Sequence, residues 1–537
     1  MPTLVCVPIM VESIDASLKD AALAKIKGAD LVEFRIDPYF HGSSGSDAED
    51  GVVVAELQRL LAESPLPVVL TCRSNSEGGD YDGDEVDRVS LLEKLTAGCD
   101  TPPAYLDFEL AAYQKSANIR QKINLCVTHP KQKRDVSTRL ILSIHDFEKR
   151  PADLDRRLLA AYDEPACAIV KVAYRARSIR DNLDLFELTK GAPKPTIALG
   201  MGEFGLMSRV LAPKFNGFLT FAALREESTT APGQPTLEDL FELYRFRNIN
   251  PKTLVYGIIG WPVGHSLSPL IHNAGFEAVG HDGVYLPMPI PGGDDDETSD
   301  ASLKGTLLSL MHADGFHLAG ASITIPQKQT LVRVARAQGW TIDPIVEECG
   351  AANTVRVTGD TVEVSNSDAG AIGALLRGHL SGRVGGAVAI VGAGGVARAA
   401  AAALPASVIF NRTRDRAEAL AADFDHATAG EIEQLNHKPF DLYINCTPVG
   451  MAGGPDPDSL SIPIDKLPPL PPETVFFDTV YNPVETPMLK AAKAAGYTTI
   501  DGVQMFVKQA AQQFELWTGK PAPERLFDRL CREQLSE

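Results

Sequence analysis

Eight short apolar runs, rich in β-branched residues, recur through the first 225 residues and are separated by segments long enough for helices. This alternation predicts parallel βαβ units, and eight of them match a (β/α)8 barrel, which typically takes about 250 residues. A ninth run, INLCVTH, spoils the count, so the runs alone make the barrel only the leading option. The eight runs are TLVCVPIM, ADLVEFRID, LPVVLTCR, PPAYLDFEL, TRLILSIHDF, CAIVKVAY, KPTIALGMG and NGFLTFAAL.

Polar residues stand at or just after the C-terminal ends of these runs, the face where barrel enzymes place their chemistry. Lys171 lies in AIVKVAY, where apolar surroundings disfavour the ammonium and give a nucleophilic amine. Such an amine condenses with a ketone, and the iminium then draws electrons from the adjacent carbon. His145, one strand earlier in LSIHDF, titrates near neutrality and is the candidate proton carrier. A snorkelling surface lysine and a structural histidine are the alternatives.

The strand pattern restarts after the linker NINPKT, with LVYGIIG running into the loop that contains SLSP. Ser266 and Ser268 are two residues apart, and on an extended segment this spacing points both hydroxyls the same way. The pair can then bind one carboxylate. The alternative is a turn leading into a helix that serine caps.

A lysine and an aspartate follow later strands of this region. Lys328 comes after a strand in ITIPQK, and Asp368 lies at a predicted strand-to-helix junction in SNSDAGAIG. Such a pair suits carbonyl reduction, because the carboxylate holds the ammonium while it donates a proton to the developing alkoxide. The alternative is a structural salt bridge, which contributes only about 0–1 kcal/mol when exposed.

A glycine turn, GAGGVA, follows the strand AVAIV and opens an alanine-rich helix. This context is the one that a dinucleotide-binding fingerprint requires, since the glycines let the backbone approach a pyrophosphate at the helix N-terminus. The predicted contacts are Gly392, Gly394, Gly395, Val396 and Ala397.

The next strand, ASVIF, ends in Asn411, Arg412 and Thr413 rather than in an acidic residue. An acid there would bind the ribose 2′-hydroxyl of NAD, whereas arginine suits the 2′-phosphate of NADP. We therefore predict NADP as the cofactor, with a surface arginine as the alternative.

The first 245 residues resemble the type I 3-dehydroquinate dehydratases in VEFRID, TCRSNSEGG, LSIHDF, VKVA, MSR and APGQP. The resemblance implies that Lys171 forms a Schiff base with 3-dehydroquinate. It also implies that His145 removes the C2 proton and then protonates the departing hydroxyl. The substrate-binding positions that it implies are Glu33, Arg35, Arg73, Glu77, Arg209, Thr230 and Gln234.

Residues 253–537 resemble shikimate dehydrogenase, with further matches at INCTPVGM, DTVYNP and GVQMFVKQAAQQFELWTG. The resemblance implies that Lys328 and Asp368 reduce the C3 ketone of 3-dehydroshikimate. Ser322 and Gln327 replace the commoner Asn and His, which leaves substrate preference open. The other implied roles are carboxylate binding by Ser266 and Ser268, ring-hydroxyl contacts by Thr324, Asn353 and Gln509, a shikimate-selective Thr354, and a nicotinamide side formed by Tyr481 and Gly502.

The predicted architecture is a barrel over 1–247, a substrate-binding catalytic domain over 253–370 and 505–537, and a Rossmann-type NADP domain over 371–504. This order resembles the bifunctional enzymes of the plant shikimate pathway, which implies the plastid stroma for a plant protein and otherwise the cytoplasm. A quinate-preferring second half, or one half that is a non-catalytic regulatory module, is the alternative.

The composition of the chain limits the classes of molecule that it is expected to bind. A formal charge of −19 argues against nucleic acid, and no apolar run reaches the roughly 18 residues that a membrane helix needs. Eight scattered cysteines without a CxxC pair predict reduced thiols and no zinc site. The expected partners are small molecules (3-dehydroquinate, 3-dehydroshikimate and shikimate), and a monomer is expected.

Overall fold

The computed structural model describes residues 2–40, 51–127, 137–226, 233–380, 387–404 and 406–536. The predicted substrate residue Thr230 lies outside them. The chain divides into two compact units, a barrel unit (Met1–Thr253 with Ala313–Gly315) and a second unit (Leu254–His312 with Phe316–Glu537).

The barrel unit contains one strand for each of the eight predicted runs. They are β1 (Leu4–Met10), β2 (Leu31–Arg35), β3 (Val68–Thr71), β4 (Tyr105–Glu109), β5 (Arg139–Asp146), β6 (Cys167–Arg175), β7 (Thr196–Met201) and β8 (Leu219–Phe221). They form one parallel sheet in the order β7-β6-β5-β4-β3-β2-β1-β8. The Phe218 N–H donates to the Thr196 carbonyl (2.9 Å) and joins the starts of β8 and β7, so the barrel is nearly closed.

Helices follow the strands around the barrel. They are α1 (Ile14–Ile26), α2 (Gly51–Glu63), α3 (Glu85–Thr96), α4 (Leu110–Lys115), α5 (Ala117–Cys126), α6 (Leu154–Asp163), α7 (Asp181–Lys190) and α8 (Leu206–Val210). The run that spoiled the strand count begins inside α5. Its apolar residues Ile123 and Cys126 are buried on one face of that helix, and this helical spacing explains why they resembled a strand.

Side-chain alternation explains why the barrel has an apolar lower interior and a polar mouth. Leu31, Val69, Tyr105, Ile141 and Ile169 form one buried cluster. Side chains two positions further along each strand face the same way and lie nearer the C-terminal end. These second and third layers are polar: Glu33 and Arg35, Thr71 and Arg73, Asp107 and Glu109, Ser143 and His145, and Lys171.

The second unit begins with a mixed sheet of six strands. They are β9 (Leu254–Gly260), β10 (Gly283–Pro289), β11 (Leu318–Ile323), β12 (Thr341–Ile342), β13 (Thr354–Thr358) and β14 (Thr361–Ser365). Their order is β10-β9-β11-β13-β14-β12, with β13 antiparallel to both of its neighbours. The accompanying helices are α9 (Ser268–Ala278), α10 (Asp296–His312), α11 (Lys328–Gln338) and α12 (Pro344–Cys349).

A second, wholly parallel sheet completes this unit. Its strands are β15 (Val388–Val391), β16 (Ser407–Phe410), β17 (Ala427–Gly430), β18 (Leu442–Asn445), β19 (Val475–Asp478) and β20 (Thr498–Ile500). The order β17-β16-β15-β18-β19-β20 is that of a doubly wound dinucleotide-binding fold, with the switch point at β15.

Six further helices belong to the second unit. They are α13 (Ser367–Leu380), α14 (Gly395–Ala403), α15 (Arg414–Ala421), α16 (Pro487–Ala494), α17 (Gly502–Thr518) and α18 (Glu524–Gln534). Helix α17 packs on α13 and on strands β11 and β13, so the C-terminal segment returns to the mixed sheet. No helix among the described residues is long and apolar enough to cross a membrane.

Candidate functional site

Lys171 lies at the centre of the barrel mouth. Its Nζ is 2.8 Å from Asp107 Oδ2 and 3.4 Å from Glu33 Oε1, and it sits over the Phe221 ring at 4.8 Å. The side chain is 7% exposed. The predicted apolar surroundings are therefore only part of its environment, because two carboxylates also face the amine. Lys171 must give up a proton before it can act as a nucleophile.

Asp107, which is not among the residues predicted from the sequence, connects Lys171 to a buried arginine. Its Oδ1 accepts hydrogen bonds from Arg73 and from the Ser143 hydroxyl, both at 2.7 Å. Burial would raise the pKa of Asp107, but Arg73 and Lys171 hold that pKa well below its usual range. Two carboxylates in the otherwise apolar run YLDFE were the available signal, since buried charges are rare unless they are paired.

The arginines of the mouth differ in whether they are paired. Arg73 contacts Asp107 and also Glu109 (3.2 Å), and Arg35 binds both carboxylate oxygens of Asp37 (2.8 and 2.9 Å). Such pairing leaves these two guanidinium groups committed to the protein. The resemblance placed both at substrate-binding positions, and the geometry favours a supporting role for them.

Arg209 is the arginine that remains available. It lies in α8, is 3% exposed, and its Nε has no hydrogen-bond partner among the described residues. Burial lowers the pKa of Arg209 to about 10, so the group is still charged at neutral pH. An unpaired buried cation is costly, and an anionic ligand would compensate it. The predicted neighbour Gln234 is also buried.

His145 is held by Glu77. Its Nδ1 is 3.1 Å from Glu77 Oε2, and its side chain is 8% exposed. Burial and the charges of Arg73 and Lys171 lower the pKa of His145 well below its usual range, so the imidazole is neutral. Burial and the Glu109 carboxylate raise the pKa of Glu77 to about 7. A neutral, oriented imidazole is suited to accept a proton.

Lys328 and Asp368 form a direct ion pair in the second unit. Lys328 opens α11, Asp368 lies in the first turn of α13, and Nζ is 2.5 Å from Oδ2. Both side chains are largely buried, at 12% and 7% exposed. Asn366 accepts the backbone N–H of Asp368 (3.0 Å) and so fixes the start of α13. The predicted strand-to-helix junction is confirmed.

The ring-hydroxyl positions implied by the resemblance lie beside this pair. Asn353 Oδ1 accepts the backbone N–H of Ser367 (2.8 Å), and Asn353 Nδ2 donates to the Ser367 hydroxyl (3.0 Å). That hydroxyl is 3.3 Å from Gln509 Oε1. Thr354 is 1% exposed and its hydroxyl donates to Asn353 Oδ1 (2.7 Å). Thr354 therefore contacts Asn353 directly, and its predicted role in shikimate selectivity stays a prediction.

The serine pair does not have the expected conformation. Leu267, between the two serines, is in the right-handed helical region, and Ser268 begins α9. The Ser266 hydroxyl accepts the Ser268 N–H (3.2 Å), so the segment is a helix-entry turn and not an extended strand. Proline follows Ser268 and favours this helix start. The segment is therefore a turn leading into a helix, although the N-cap residue is Leu267, whose side chain makes no capping hydrogen bond. Carboxylate binding by the two serines stays a prediction. Thr324, predicted to contact a ring hydroxyl, is half-buried.

The glycine turn has the shape that a pyrophosphate site needs. Gly392 has φ +122°, and a Cβ there would lie 2.8 Å from the Cys446 carbonyl oxygen. A Cβ on Gly394 would meet nothing within 4 Å, so space is open beside the start of α14. A Cβ on Gly395 would lie 3.1 Å from Lys328 Cδ, which places the lysine next to this turn. Val396 and Ala397 continue in the first turn of α14.

Arginines follow the second strand of this sheet. Asn411 closes the loop by donating to the Thr413 carbonyl (2.8 Å), and Arg412 is exposed. Arg416, which the sequence analysis missed, is also exposed in α15. Neither arginine has an ion-pair partner in the part of the chain that the structure describes. Arg414 between them is paired with Glu418 and Glu431. An unpaired arginine in the neighbouring helical turn was the missed signal.

The remaining predicted positions adjoin each other. A Cβ on Gly502 would lie 2.2 Å from the Val480 carbonyl oxygen, so only glycine allows α17 to start against this segment. Tyr481, the next residue, packs on the Phe506 ring at 5.1 Å. Tyr481 and Gly502 therefore lie at one junction, and their place beside the nicotinamide stays a prediction.

Three known families match parts of this chain. The family described as "Type I 3-dehydroquinase" matches residues 5–251. "Shikimate dehydrogenase substrate binding domain" matches residues 258–355, and "Shikimate 5'-dehydrogenase C-terminal domain" matches residues 502–529.

Two relatives cover different shares of the chain. A protein of Arabidopsis thaliana named "Bifunctional 3-dehydroquinate dehydratase/shikimate dehydrogenase, chloroplastic" is 35% identical over 549 residues, 98% of this chain and 84% of that protein. "Shikimate dehydrogenase (NADP(+))" of Haloarcula marismortui is 39% identical over 288 residues, 52% of this chain and 99% of that protein. The Thermus thermophilus shikimate 5-dehydrogenase, solved with NADP(H) and shikimate, is 31% identical over 52% of this chain and 99% of that one, with a TM-score of 0.44.

The fold and sites define a lysine-bearing α/β barrel enzyme joined to a dinucleotide-dependent dehydrogenase. The chain belongs to the bifunctional 3-dehydroquinate dehydratase/shikimate dehydrogenase family.

Proposed function

We propose that the barrel unit dehydrates 3-dehydroquinate to 3-dehydroshikimate and that the second unit reduces this product to shikimate with NADPH. The chain is thus a lyase and an oxidoreductase of the shikimate pathway. The observation that carries the assignment is the pair of lysine–carboxylate contacts, Lys171 with Asp107 and Lys328 with Asp368. The dehydratase product is the dehydrogenase substrate, so fusion raises its concentration near the second site.

The dehydratase step uses Lys171 as nucleophile. After Lys171 loses a proton, its amine adds to the ketone carbon and water leaves, which forms an iminium. Neutral His145 removes a proton from the adjacent carbon, and the electron pair moves toward the iminium nitrogen. The hydroxyl then departs as water, taking a proton from His145. Hydrolysis of the iminium releases 3-dehydroshikimate and restores the Lys171 amine.

Substrate binding in the barrel depends on charge. The unpaired guanidinium of Arg209 is the proposed partner of the substrate carboxylate, because planar bidentate pairing suits these two groups. Arg73 and Arg35 instead shape the mouth through Asp107 and Asp37. Glu33, which accepts the Thr71 hydroxyl (2.8 Å), and Gln234 are proposed to contact substrate hydroxyls.

The residues of the second unit fit NADP. Open space beside Gly394, the positive φ of Gly392 and the N-terminus of α14 together suit a pyrophosphate. Arg412 and Arg416 are proposed to bind the 2′-phosphate, and Tyr481 and Gly502 to lie beside the nicotinamide. When bound, NADPH supplies the hydride for the substrate carbonyl carbon.

Lys328 supplies the proton in the reduction. Asp368 holds the ammonium at 2.5 Å, so the donor is fixed before the alkoxide develops. Asn353 and Gln509 are proposed to bind the ring hydroxyls, and Ser266 and Ser268 the carboxylate.

One experiment tests both halves separately. Borohydride with 3-dehydroquinate should leave a stable added mass on the peptide that contains Lys171. The Lys328→Ala variant should keep this label and lose NADP+-linked oxidation of shikimate. A wild-type enzyme that dehydrates 3-dehydroquinate without labelling Lys171 would contradict the proposal. Parallel assays with quinate and with NADH test substrate and cofactor preference.

The monomeric state and the location remain proposals. The Arabidopsis relative is named chloroplastic, which supports the plastid stroma if this chain comes from a plant. Sedimentation of the purified chain and fractionation of the source cells would test the two points.

A further inference from the structure

Gln513 links the substrate-binding residues of the second unit to the core. It lies in α17, is 1% exposed, and has no role in the assignments above. Its Nε2 donates to the Asn353 backbone carbonyl (3.1 Å) and to the Thr354 hydroxyl (3.0 Å). Its Oε1 accepts the Ser322 hydroxyl (2.7 Å), which itself accepts the Tyr285 hydroxyl (2.7 Å). A series of hydrogen bonds therefore leads to Asn353 through four buried side chains, those of Tyr285, Ser322, Gln513 and Thr354.

The direction of each hydrogen bond follows from groups that have only one role. A backbone carbonyl can only accept, so the Gln513 atom beside the Asn353 carbonyl must be Nε2. The Thr354 hydroxyl accepts a hydrogen bond from Gln513 Nε2 and donates its own hydrogen to Asn353 Oδ1. The backbone N–H of Ser367 also points at Oδ1. Both contacts occupy Oδ1 and fix the amide with Nδ2 against the Ser367 hydroxyl.

The orientation has a chemical consequence. Asn353 Nδ2 carries two hydrogens, and only one is used, in the bond to the Ser367 hydroxyl (3.0 Å). Among the described residues the second has no hydrogen-bond acceptor, and it can donate to a substrate oxygen. The Asn353 amide is therefore a fixed hydrogen-bond donor beside Lys328 and Asp368. Gln513 holds it in place by binding the Asn353 backbone carbonyl and the Thr354 hydroxyl.

We propose that Gln513 is a positioning residue that holds Asn353 and Thr354 so that the Asn353 amide donates to a ring hydroxyl of the substrate. This inference rests on the proposed function of the second unit. Gln513 acts through Asn353 and touches no reacting atom. Its amide must be both donor and acceptor, so neither an apolar residue nor a carboxylate can replace it.

The volume around Gln513 decides the choice of variants. A cavity of about 780 Å³ borders Gln513, Thr354 and Ser367 on the side of β14 and α17. Truncation to alanine would let water enter from this cavity and replace the amide. Gln513→Leu fills the space without hydrogen bonds. Gln513→Glu can accept from Ser322 but donates to Thr354 only when it is protonated.

The test compares steady-state kinetics of shikimate oxidation. Gln513→Leu should raise the KM for shikimate about tenfold, the range of one lost buried hydrogen bond, with the KM for NADP+ and the dehydratase rate unchanged. Gln513→Glu should match Gln513→Leu at pH 8 and approach wild type near pH 6, a recovery that a general loss of packing would not produce. Gln512→Leu, the neighbouring half-buried position, is the matched control and should behave as wild type.

A double variant tests whether Gln513 acts through Asn353. If Gln513 acts through Asn353, adding Gln513→Leu to Asn353→Ala should cause little further loss, since coupled residues are not additive. Full additivity, an unchanged KM in Gln513→Leu, or Gln513→Glu without recovery at low pH would each overturn the inference. If Gln513→Leu does not fold, the pH response of Gln513→Glu decides. A wild-type enzyme that does not oxidise shikimate would instead overturn the proposed function and this inference with it.

Discussion

Glu77 contacts His145 through Oε2 and Nδ1 at 3.1 Å, and burial moves the pKa values of the two groups in opposite directions. The pKa of Glu77 rises to about 7, while that of His145 falls well below its usual range. The imidazole is therefore neutral throughout the neutral range, and Glu77 is the member of the pair that titrates there. As a carboxylate, Glu77 accepts a hydrogen bond from the Nδ1–H of His145, and this tautomer leaves Nε2 without a proton and able to act as a base.

Dehydration should therefore become faster as the pH rises through about 7. In the Glu77→Gln variant we expect kcat/KM to fall about 10- to 100-fold and to lose this dependence, because the amide does not titrate. The measurement is dehydratase kcat/KM between pH 5.5 and 9, with shikimate oxidation by the same samples as the control. A Glu77→Gln profile with its midpoint still near 7 would assign the ionisation to another group.

Arg209 and Arg73 offer a matched comparison, since both are 3% exposed and, among the described residues, Arg73 has ion-pair partners whereas Arg209 has none. Arg209→Met removes an uncompensated buried charge, so we expect the barrel unit to gain about 1–3 kcal/mol in the free energy of unfolding. The same change should raise the KM for 3-dehydroquinate strongly. Arg73→Met removes one of two cations from both Asp107 and Glu109, which keep Lys171 and Arg88 respectively, and should lower stability by about 1–3 kcal/mol.

Calorimetry of the two variants beside wild type, with dehydratase kinetics, measures both effects. Equal destabilisation by Arg209→Met and Arg73→Met would mean that Arg209 has a structural role, and the assignment of the substrate carboxylate to it would be wrong.

Arg412, Arg414 and Arg416 provide a similar internal control for cofactor choice. Arg412→Ala and Arg416→Ala remove unpaired cations and should each raise the KM for NADPH by about tenfold or more, with a much smaller effect on NADH. Arg414 is already paired with Glu418 and Glu431, so Arg414→Ala should change neither value appreciably. The ratio of kcat/KM for NADPH to that for NADH is the quantity to compare. If only Arg414→Ala lowered this ratio, the contact with the 2′-phosphate would belong to Arg414 and not to Arg412 and Arg416.

The elements that could be predicted from the sequence are those in which a local pattern determines the structure. The eight barrel strands are short buried runs that are mainly apolar and carry polar residues toward their C-terminal ends. The GAGGVA turn was recognisable because a strand precedes it and a helix follows it. INLCVTH resembled a strand because a short apolar run has the same pattern in a strand and on one face of a helix such as α5.

Contacts between distant segments could not be predicted in the same way. Asp107 meets Lys171 across 64 positions, and Gln513 meets Asn353 across 160. Nothing near either residue in the chain specifies such a partner. The backbone conformation of SLSP could not be predicted for a different reason, because the two-residue spacing of the serines does not show whether the backbone between them is extended. The sequence also could not distinguish Arg73, which is ion-paired, from Arg209, which has no ion-pair partner among the described residues, because both are arginines near strand ends.

Asp478 provides a last prediction, on the pH dependence of stability. Its side chain is fully buried at the end of β19, where it accepts hydrogen bonds from Asn445 (2.9 Å), the Val480 N–H (3.0 Å) and the Thr486 hydroxyl (2.7 Å). No cation is among these partners, and burial raises the pKa of Asp478 to about 6. A carboxyl in an unfolded chain titrates near about 3.9.

Because the folded pKa is the higher one, the folded state holds the proton more tightly. The contribution of this group to stability is therefore full below about pH 4 and is lost as the pH rises through about 6. Asp478→Asn cannot titrate, so the difference in unfolding free energy between wild type and Asp478→Asn should shift against wild type by about 2–3 kcal/mol between pH 4 and pH 7. Calorimetric unfolding of both proteins at one-unit pH steps measures this shift. A constant difference over that range would mean that Asp478 is already ionised at pH 4, and that its three donors stabilise the carboxylate enough to offset burial.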